Sequence, residues 1–353
     1  MSRITVLSVA YPLAPVGRDA VGGAEQILAA IDRALVRAGH RSIVIACAGS
    51  RCDGRLLCLP RVTGPLDQAA RTTAQQRTRA AIEQVLGRQQ IDLVHLHGHD
   101  FEGYLPGPGP VVLATLHLPA EWYSLRAFAP TRPRTHLSCV SHSQRRGCPP
   151  TAKLAVIENG VDLERLRPRS RRGRYLLALG RVCPEKAFHR ALDAARLAGA
   201  PMLLAGEVFA YAEHRRYFDE QVRPRLDGQR RFIGPVGLRR KRALLAGARC
   251  LLVPSEVPET SSLVAMEALA CGTPVISFGA GALAEIVEHG RTGFAVADEL
   301  AMAEAIGRIE EIGRAACRRA AERRFDQRRM LAGYLALYQR LLSTEVESVA
   351  ARA

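Results

Sequence analysis

The sequence predicts an α/β fold made of two doubly wound domains, each built around a parallel β-sheet. Its 353 residues correspond to about two domains of ordinary size. Short apolar runs alternate with amphipathic helical patterns along the chain, which is typical of βα units around parallel sheets. Hydrophobic residues make up 48% of the chain and charged residues 24%, which argues against intrinsic disorder.

The first domain is predicted over residues 1–160 and begins with a buried strand at 4–9. Residues 24–38 follow as a helix, because four aliphatic side chains recur on one helical face and Gly39 ends the pattern. Apolar runs predict the further strands of this domain at 42–46, 93–96, 111–116 and 137–140.

The second domain is predicted over residues 161–325, because the periodic pattern lapses near residue 160 into Asn-Gly-Val-Asp and a run of arginines. Apolar runs predict its strands at 175–179, 202–205, 250–253 and 275–277. The remaining section, 326–353, continues a helical pattern that places Tyr334 and Tyr338 on one apolar face.

The net charge of +16 suggests a polyanionic partner, but the basic residues are scattered. Only three of the 50 are lysines, and the arginines concentrate only locally, at 165–174, 239–242 and 314–329. No aromatic-rich RNA platform or zinc-finger spacing accompanies them, so we expect no nucleic-acid partner. A solvated basic surface is expected; attraction to an acidic substrate or weak contact with lipid headgroups is the alternative.

The cysteines and the apolar runs predict a cytoplasmic location. Nine cysteines without a CxxC pair fit neither a disulfide framework nor a zinc knuckle. No apolar run approaches the length of a membrane span, and the first ten residues lack a basic leader and a cleavage site.

The glycine-rich first loop excludes two common nucleotide-binding motifs. No GxGxxG follows a strand, as a dinucleotide would require. Gly17 and Gly22 have the spacing of a P-loop, but Gly23 and Ala24 occupy the positions of its lysine and hydroxyl residue. A ligand is instead expected in a cleft between the two domains, at the carboxyl ends of the strands.

The most informative stretch is 254–276, where a strand leads into a loop with Glu259 and a helix begins near Leu263. Backbone N–H groups at such a helix start suit a phosphate, with Ser261 and Ser262 as capping residues. The carboxylates of Glu259 and Glu267 can accept hydrogen bonds from vicinal hydroxyls of a sugar or ribose. For Glu267 the alternative is a solvated helix position. Replacing Glu267 with alanine is expected to weaken binding of the ligand that carries these hydroxyls and to leave the fold intact.

This stretch resembles the signature of the family 4 glycosyltransferases, a Glu-x7-Glu element followed by Ala-Cys-Gly-Thr-Pro-Val. The segment 180–186 resembles the family's Gly-Arg-x4-Lys element, with Ala187 where glycine is commoner. Similar matches occur at Asn-Gly-Val-Asp 159–162, at the loop ending in Gly-Gly-Ala-Glu 22–25 and at Leu-His 116–117. The resemblance implies the GT-B fold: two Rossmann-like domains face a central cleft, and the final helix crosses back to the first domain.

The resemblance also implies a retaining transfer from a nucleotide diphosphate sugar. Arg181 and Lys186 can neutralise the departing diphosphate without a metal ion, and the chain has no DxD motif, so no cofactor or metal is expected. Glu259 and His117 complete the predicted catalytic set, with His117 contacting the donor sugar. The predicted donor-binding residues are Gly22, Gly23, Arg181, Lys186, Glu259, Ser261, Ser262, Leu263 and Glu267. UDP is preferred as the nucleotide, and GDP-mannose stays open.

Acceptor contacts are predicted in the first domain at His97, His99, Trp122 and Tyr123, with the core as the alternative place for the two aromatic residues. The alternation of His95 with His97 and His99 suggests a metal at first sight, but no complete tetrahedral ligand set accompanies it. The acceptor itself, a sugar, lipid or small molecule, is not identified by the sequence.

Three alternatives remain open at this point. The chain is also compatible with a GT-B sugar-nucleotide epimerase or phosphorylase, or with a protein that binds nucleotide sugars or polyanions without turnover. For the final helix the alternative to packing on the first domain is an amphipathic helix on a membrane surface.

Overall fold

A computed structural model describes residues 3–64, 66–168 and 173–350, so part of the arginine-rich run 165–174 and the last three residues lie outside the described residues. The chain forms two compact units, one of residues 1–158 with 329–353 and the other of residues 159–328. Each unit is an α/β structure with one parallel sheet, as the sequence predicts.

The first unit contains a seven-stranded parallel sheet in the order β3-β2-β1-β4-β5-β6-β7. Its strands are β1 Thr5–Val9, β2 Arg41–Cys47, β3 Arg55–Leu59, β4 Leu93–Leu96, β5 Val111–Leu116, β6 Thr135–Cys139 and β7 Leu154–Val156. Its first three helices are α1 Gly23–Arg37, α2 Gln68–Arg88 and α3 His142–Gly147. Every residue of β1, β4 and β5 is buried, because helices of a doubly wound sheet cover both faces.

The second unit contains a six-stranded parallel sheet in the order β10-β9-β8-β11-β12-β13. Its strands are β8 Leu176–Leu179, β9 Met202–Ala205, β10 Arg230–Phe232, β11 Cys250–Val253, β12 Val275–Ser277 and β13 Gly293–Ala295. Its helices are α4 Phe188–Leu197, α5 Ala212–Tyr217, α6 Leu238–Gly247, α7 Leu263–Ala270, α8 Leu283–Ile286, α9 Glu299–Gly307 and α10 Arg314–Arg324. The strand order reverses between β8 and β11, and this is where doubly wound sheets bind ligands.

The final helix, α11 (Gln327–Ala350), packs on the first unit. Tyr334 is 1% and Tyr338 0% exposed. The Tyr338 hydroxyl lies 2.6 Å from Nδ1 of His95, whose Nε2 lies 2.7 Å from Oγ1 of Thr115. The predicted return of the last helix to the first domain is therefore confirmed, and the two tyrosines are taken up by that packing.

No described helix has both the length and the apolar character that a bilayer-spanning segment needs. All nine cysteines are free thiols; seven of them are buried, Cys52 is partly buried and Cys58 is exposed.

Candidate active site

The loop after β8 carries the first two predicted cations. Arg181 follows the strand after Gly180, and a short 3₁₀ turn over Pro184–Lys186 leads to α4. Ala187, which joins them, is buried and adopts left-handed backbone angles (φ 46°, ψ 38°). Glycine reaches this conformation without the steric penalty of a Cβ atom, which explains why glycine suits the position.

The two cations differ in their partners. The guanidinium of Arg181 makes no hydrogen bond or ion pair with the described residues, although its charge acts on nearby Glu185 and His214. The ammonium of Lys186 donates to Oε1 of Glu259. Arg181 is thus open to an incoming anion, whereas Lys186 is held on a carboxylate.

Glu259, in the loop after β11, forms hydrogen bonds with residues of three loops that follow adjacent strands. Its Oε1 accepts from Oγ of Ser255 at 2.5 Å as well as from Lys186, which belongs to the loop after β8. Its carbonyl oxygen accepts from the N–H of Ala282 at 2.7 Å, in the loop after β12. A Cβ atom at Gly281 would lie 2.4 Å from that same oxygen, so only glycine fits there. Sequence reasoning missed Ser255 and Gly281.

Helix α7 begins beside Glu259 and presents an open N-terminus. Ser262 is its N-cap residue, but its hydroxyl makes no capping hydrogen bond. Oγ of Ser261 is buried and has no partner among the described residues. The first N–H groups of a helix, from Leu263 onward, have no acceptor within the helix and carry its positive dipole end. This end of α7 is therefore suited to bind an anion.

Glu267 lies on α7 and is 7% exposed, which excludes the solvated helix position. Its Oε1 accepts from Nζ of Lys241 on α6 at 2.6 Å, and both side chains are less than one tenth exposed. Replacing Glu267 with alanine would leave that ammonium buried and unpaired, so a loss of stability is expected beside the weaker donor binding.

Two of the chain's three lysines thus pair with the two glutamates of the motif, Lys186 with Glu259 and Lys241 with Glu267. Arginine is used almost everywhere else. Both side chains carry one positive charge, but the ammonium of lysine is more compact than a guanidinium and fits beside a confined carboxylate. The rarity of lysine was the one sequence signal that could have pointed to Lys241.

His117 follows β5 in the first unit and is positioned by two neighbours. Its backbone N–H and that of Leu118 donate to the hydroxyl of Tyr123 at 2.9 and 3.2 Å. Its Nε2 lies 3.1 Å from Nδ1 of His97, which is 2% exposed. Burial lowers the pKa of His117 to about 4, so the imidazole is neutral at pH 7.

The other predicted acceptor residues lie in different environments. Tyr123 is 8% exposed and belongs to the core, which was the alternative interpretation. Trp122 is 39% exposed, and the ring of His99 lies 4.9 Å from that of Tyr11. Acceptor binding by His97, His99 and Trp122 stays a prediction.

Gly22 is the N-cap residue of α1, and the nearby Glu25 side chain leaves no room there for a side chain. A Cβ atom there would lie 1.9 Å from Oε2 of Glu25, whose buried carboxylate lies against the start of the helix. Gly23 is the first residue of the helix. Close approach of a phosphate to Gly22 and Gly23 stays a prediction.

Two family models match successive parts of the chain. Residues 21–165 match the model described as Glycosyltransferase Family 4, and residues 173–311 match Glycosyl transferases group 1. The chain belongs to the family 4 glycosyltransferases.

Known relatives of this family 4 chain include glycogen synthase from Mycobacterium tuberculosis, 34% identical over 183 residues. That match covers 49% of the chain and 43% of the relative, so the chain spans less than half the length of the curated relatives it matches. The structure of AviGT4, a glycosyltransferase involved in avilamycin A biosynthesis, is 27% identical with a TM-score of 0.70, covering 96% of this chain and 98% of that one.

A third similar structure is Anabaena HepE in complex with UDP-glucose. It is 20% identical with a TM-score of 0.70 and covers 98% of this chain and all of that one. The likeness shows the same GT-B fold.

Within the family 4 chain, the second unit brings most predicted donor residues to one edge of its sheet. Arg181, Lys186, Glu259 and the start of α7 lie at the carboxyl ends of the neighbouring strands β8 and β11. The N–H of Glu256 donates to the carbonyl of Glu185 at 3.1 Å and joins the two loops directly. His117 and the two glycines of the first loop belong to the first unit.

Proposed function

We propose that this protein transfers a sugar from a nucleotide diphosphate sugar to an acceptor hydroxyl, with retention at the anomeric carbon. The observation that carries the proposal is the edge of the second sheet. There Arg181, unpaired among the residues that the structure describes, lies on the loop after β8, and the open start of α7 follows β11. Cationic side chains and helix N-terminal N–H groups at a switch point are the groups that hold a diphosphate.

The diphosphate is proposed to lie between Arg181 and the start of α7. The Ser261 hydroxyl, buried without a partner, then gains a phosphate oxygen as acceptor, together with the N–H groups near Leu263. Lys186 adds a second positive charge at the same edge. As the bond from the anomeric carbon to the phosphate oxygen breaks, negative charge grows on the diphosphate and its attraction to these cations strengthens.

In this proposal the acceptor hydroxyl attacks from the face that the diphosphate leaves, and its proton passes to the departing phosphate oxygen. His117 contacts the sugar as a neutral hydrogen-bonding group, in keeping with its pKa of about 4. Glu259 and Glu267 accept hydrogen bonds from hydroxyls of the donor. The fixed cations replace a divalent metal as stabilisers of the leaving group.

UDP is the proposed nucleotide. The similar fold of HepE was solved with UDP-glucose, and the Glu-Thr-Ser-Ser form of the motif looks at home among UDP-sugar users. A reducing compartment, the cytoplasm, is proposed for the reaction, with nine free thiols as support.

Donor identity is tested by thermal shift with UDP, GDP and ADP sugars, because a specific ligand stabilises the folded state by mass action. The stabilising donor is then incubated with candidate acceptors, and the products are analysed by NMR. An altered sugar without an acceptor would indicate an epimerase, phosphate-dependent turnover a phosphorylase, and binding without turnover a non-catalytic protein.

Site assignment is tested with Arg181→Ala, and Arg196→Ala serves as the matched control. Arg196 is an exposed arginine of the same unit, with 54% of its side chain accessible. Turnover is expected to fall at least tenfold in the first variant and to stay at the wild-type value in the second. Millimolar magnesium or manganese is expected not to raise turnover of metal-free protein; strict dependence on either would refute the role given to the fixed cations.

A further inference from the structure

A cluster of three metal-ligating side chains, two buried and one partly buried, joins the loop that follows β8 to helix α5. Sγ of Cys183, a carboxylate oxygen of Glu185 and a ring nitrogen of His214 all lie within 4.8 Å of one another. Cys183 and Glu185 belong to the loop after β8, whereas His214 lies on α5. Among the described residues this is the one such group of three.

Two polar atoms of this cluster have no partner. Nδ1 of His214 and Oε2 of Glu185 are buried and make no hydrogen bond in the described part of the chain. His214 is 7% exposed, so its ring is more than nine-tenths buried. A buried imidazole nitrogen and carboxylate oxygen without partners cost free energy unless a ligand satisfies them.

The chemistry of the three side chains suits a cation that binds through nitrogen, sulfur and oxygen. Sγ of Cys183 lies 3.6 Å from the carbonyl oxygen of Arg181, to which the thiol donates a weak hydrogen bond. A thiol, a carboxylate and an imidazole are the side chains that bind Zn²⁺ with tetrahedral geometry.

We propose that Cys183, Glu185 and His214 bind one Zn²⁺ ion, with solvent as the fourth ligand. On binding, the Cys183 thiol releases its proton to solvent and its sulfur bonds to the metal as a thiolate. The thiolate and the carboxylate then balance the two charges of the ion. The bound site is therefore neutral, which removes most of the repulsion from Arg181 and Lys186.

The site would tie the loop after β8 to α5, because His214 follows Cys183 by 31 residues and Glu185 by 29. Cys183 and Glu185 lie in the sequence between Arg181 and Lys186, the two cations proposed to hold the diphosphate, so the ion would fix the path of the chain there. This role differs from stabilising the leaving group, and the inference stands whether or not the proposed function is correct.

The test is a zinc titration of untagged, metal-free, reduced protein in competition with a chromophoric chelator. Wild-type protein is expected to bind one ion per chain. Cys183→Ser and His214→Gln are expected to weaken that binding at least tenfold. The matched controls are Cys58→Ser, which removes an exposed thiol of the first unit, and His189→Gln, which removes a histidine of α4; both are expected to bind like wild type.

Cobalt supplies a second readout that identifies the ligand. Co²⁺ in place of zinc is expected to give the thiolate charge-transfer absorption in wild type and not in Cys183→Ser. Far-UV circular dichroism of the metal-free variants checks that they fold. The proposal is overturned if wild type binds no zinc against the chelator, or if correctly folded Cys183→Ser and His214→Gln bind it as tightly as wild type.

Discussion

Replacing Lys241 with methionine tests the buried ion pair behind the second motif glutamate. The substitution keeps an unbranched side chain of similar length and removes the ammonium that donates to Glu267 at 2.6 Å. Because the two side chains are 8% and 9% exposed, the remaining carboxylate has almost no access to water. Removal of one partner from such a pair costs about 3–5 kcal/mol in the free energy of unfolding.

The double variant Lys241→Met with Glu267→Leu separates the cost of an unpaired charge from the value of the pair. Removing both charges leaves no buried ion, so we expect its stability within about 1 kcal/mol of wild type, or higher. Together with the two single variants, Lys241→Met and Glu267→Leu, it forms a double-mutant cycle with a coupling energy of about 3 kcal/mol or more. Glu267→Ala is expected to weaken donor binding by about 1.5–3 kcal/mol, because one charge-assisted hydrogen bond to the donor is lost, and calorimetry of donor binding measures this change.

Urea unfolding followed by far-UV circular dichroism measures the differences in the free energy of unfolding. Arg79→Met is the matched control, since Arg79 and Glu83 form an ion pair in which both side chains are more than half exposed. Such a pair contributes about 0.2–1 kcal/mol. If Lys241→Met costs no more than Arg79→Met, the ammonium is solvated and the reasoning from burial is refuted.

Three further predictions concern the loops and the histidine. Arg181→Ala and Lys186→Ala should each lower kcat more than they raise KM for the donor, and their effects should not add, because both act on one diphosphate; full activity in the double variant would contradict this. Gly281→Ala should lower the free energy of unfolding by about 1–3 kcal/mol, since the new Cβ would lie 2.4 Å from the backbone of Glu259. Gly228→Ala, with open space around the residue, is the control and should cost under about 1 kcal/mol; thermal unfolding measures both. The folded state holds the pKa of His117 near 4, below its unfolded value of about 6.5. Between these two pH values the unfolded state binds more protons than the folded state, so the free energy of unfolding should decrease as the pH falls from about 6.5 to about 4. His117→Gln should reduce this slope in urea unfolding at pH 4.5 to 7, and an unchanged slope would show that the imidazole titrates normally.

The amino-acid sequence by itself determined the fold class and the interior strands. Residues 93–96, 111–116, 202–205, 250–253 and 275–277 form strands with the bounds that their apolar runs predict. Interior strands of a parallel sheet are buried on both faces and therefore have continuous apolar sequences. The four strands that the pattern missed, β3, β7, β10 and β13, are the edges of the two sheets. β3 and β10 contain arginine, which weakens an apolar pattern, and β7 and β13 are only three residues long.

The resemblance to the family's motifs assigned Arg181, Lys186 and Glu259 to one candidate site, and the structure places them at one edge of a sheet because they follow the neighbouring parallel strands β8 and β11. The tertiary structure alone decided which groups hold these side chains. Lys241 and Glu267 are 26 residues apart, Lys186 and Glu259 73, and His95 and Tyr338 243. Such pairings depend on how helices and loops pack around the sheets, and the local hydrophobic periodicity of the sequence does not specify that packing. The same reason hid the cluster of Cys183, Glu185 and His214, whose members meet only when α5 packs beside the loop after β8.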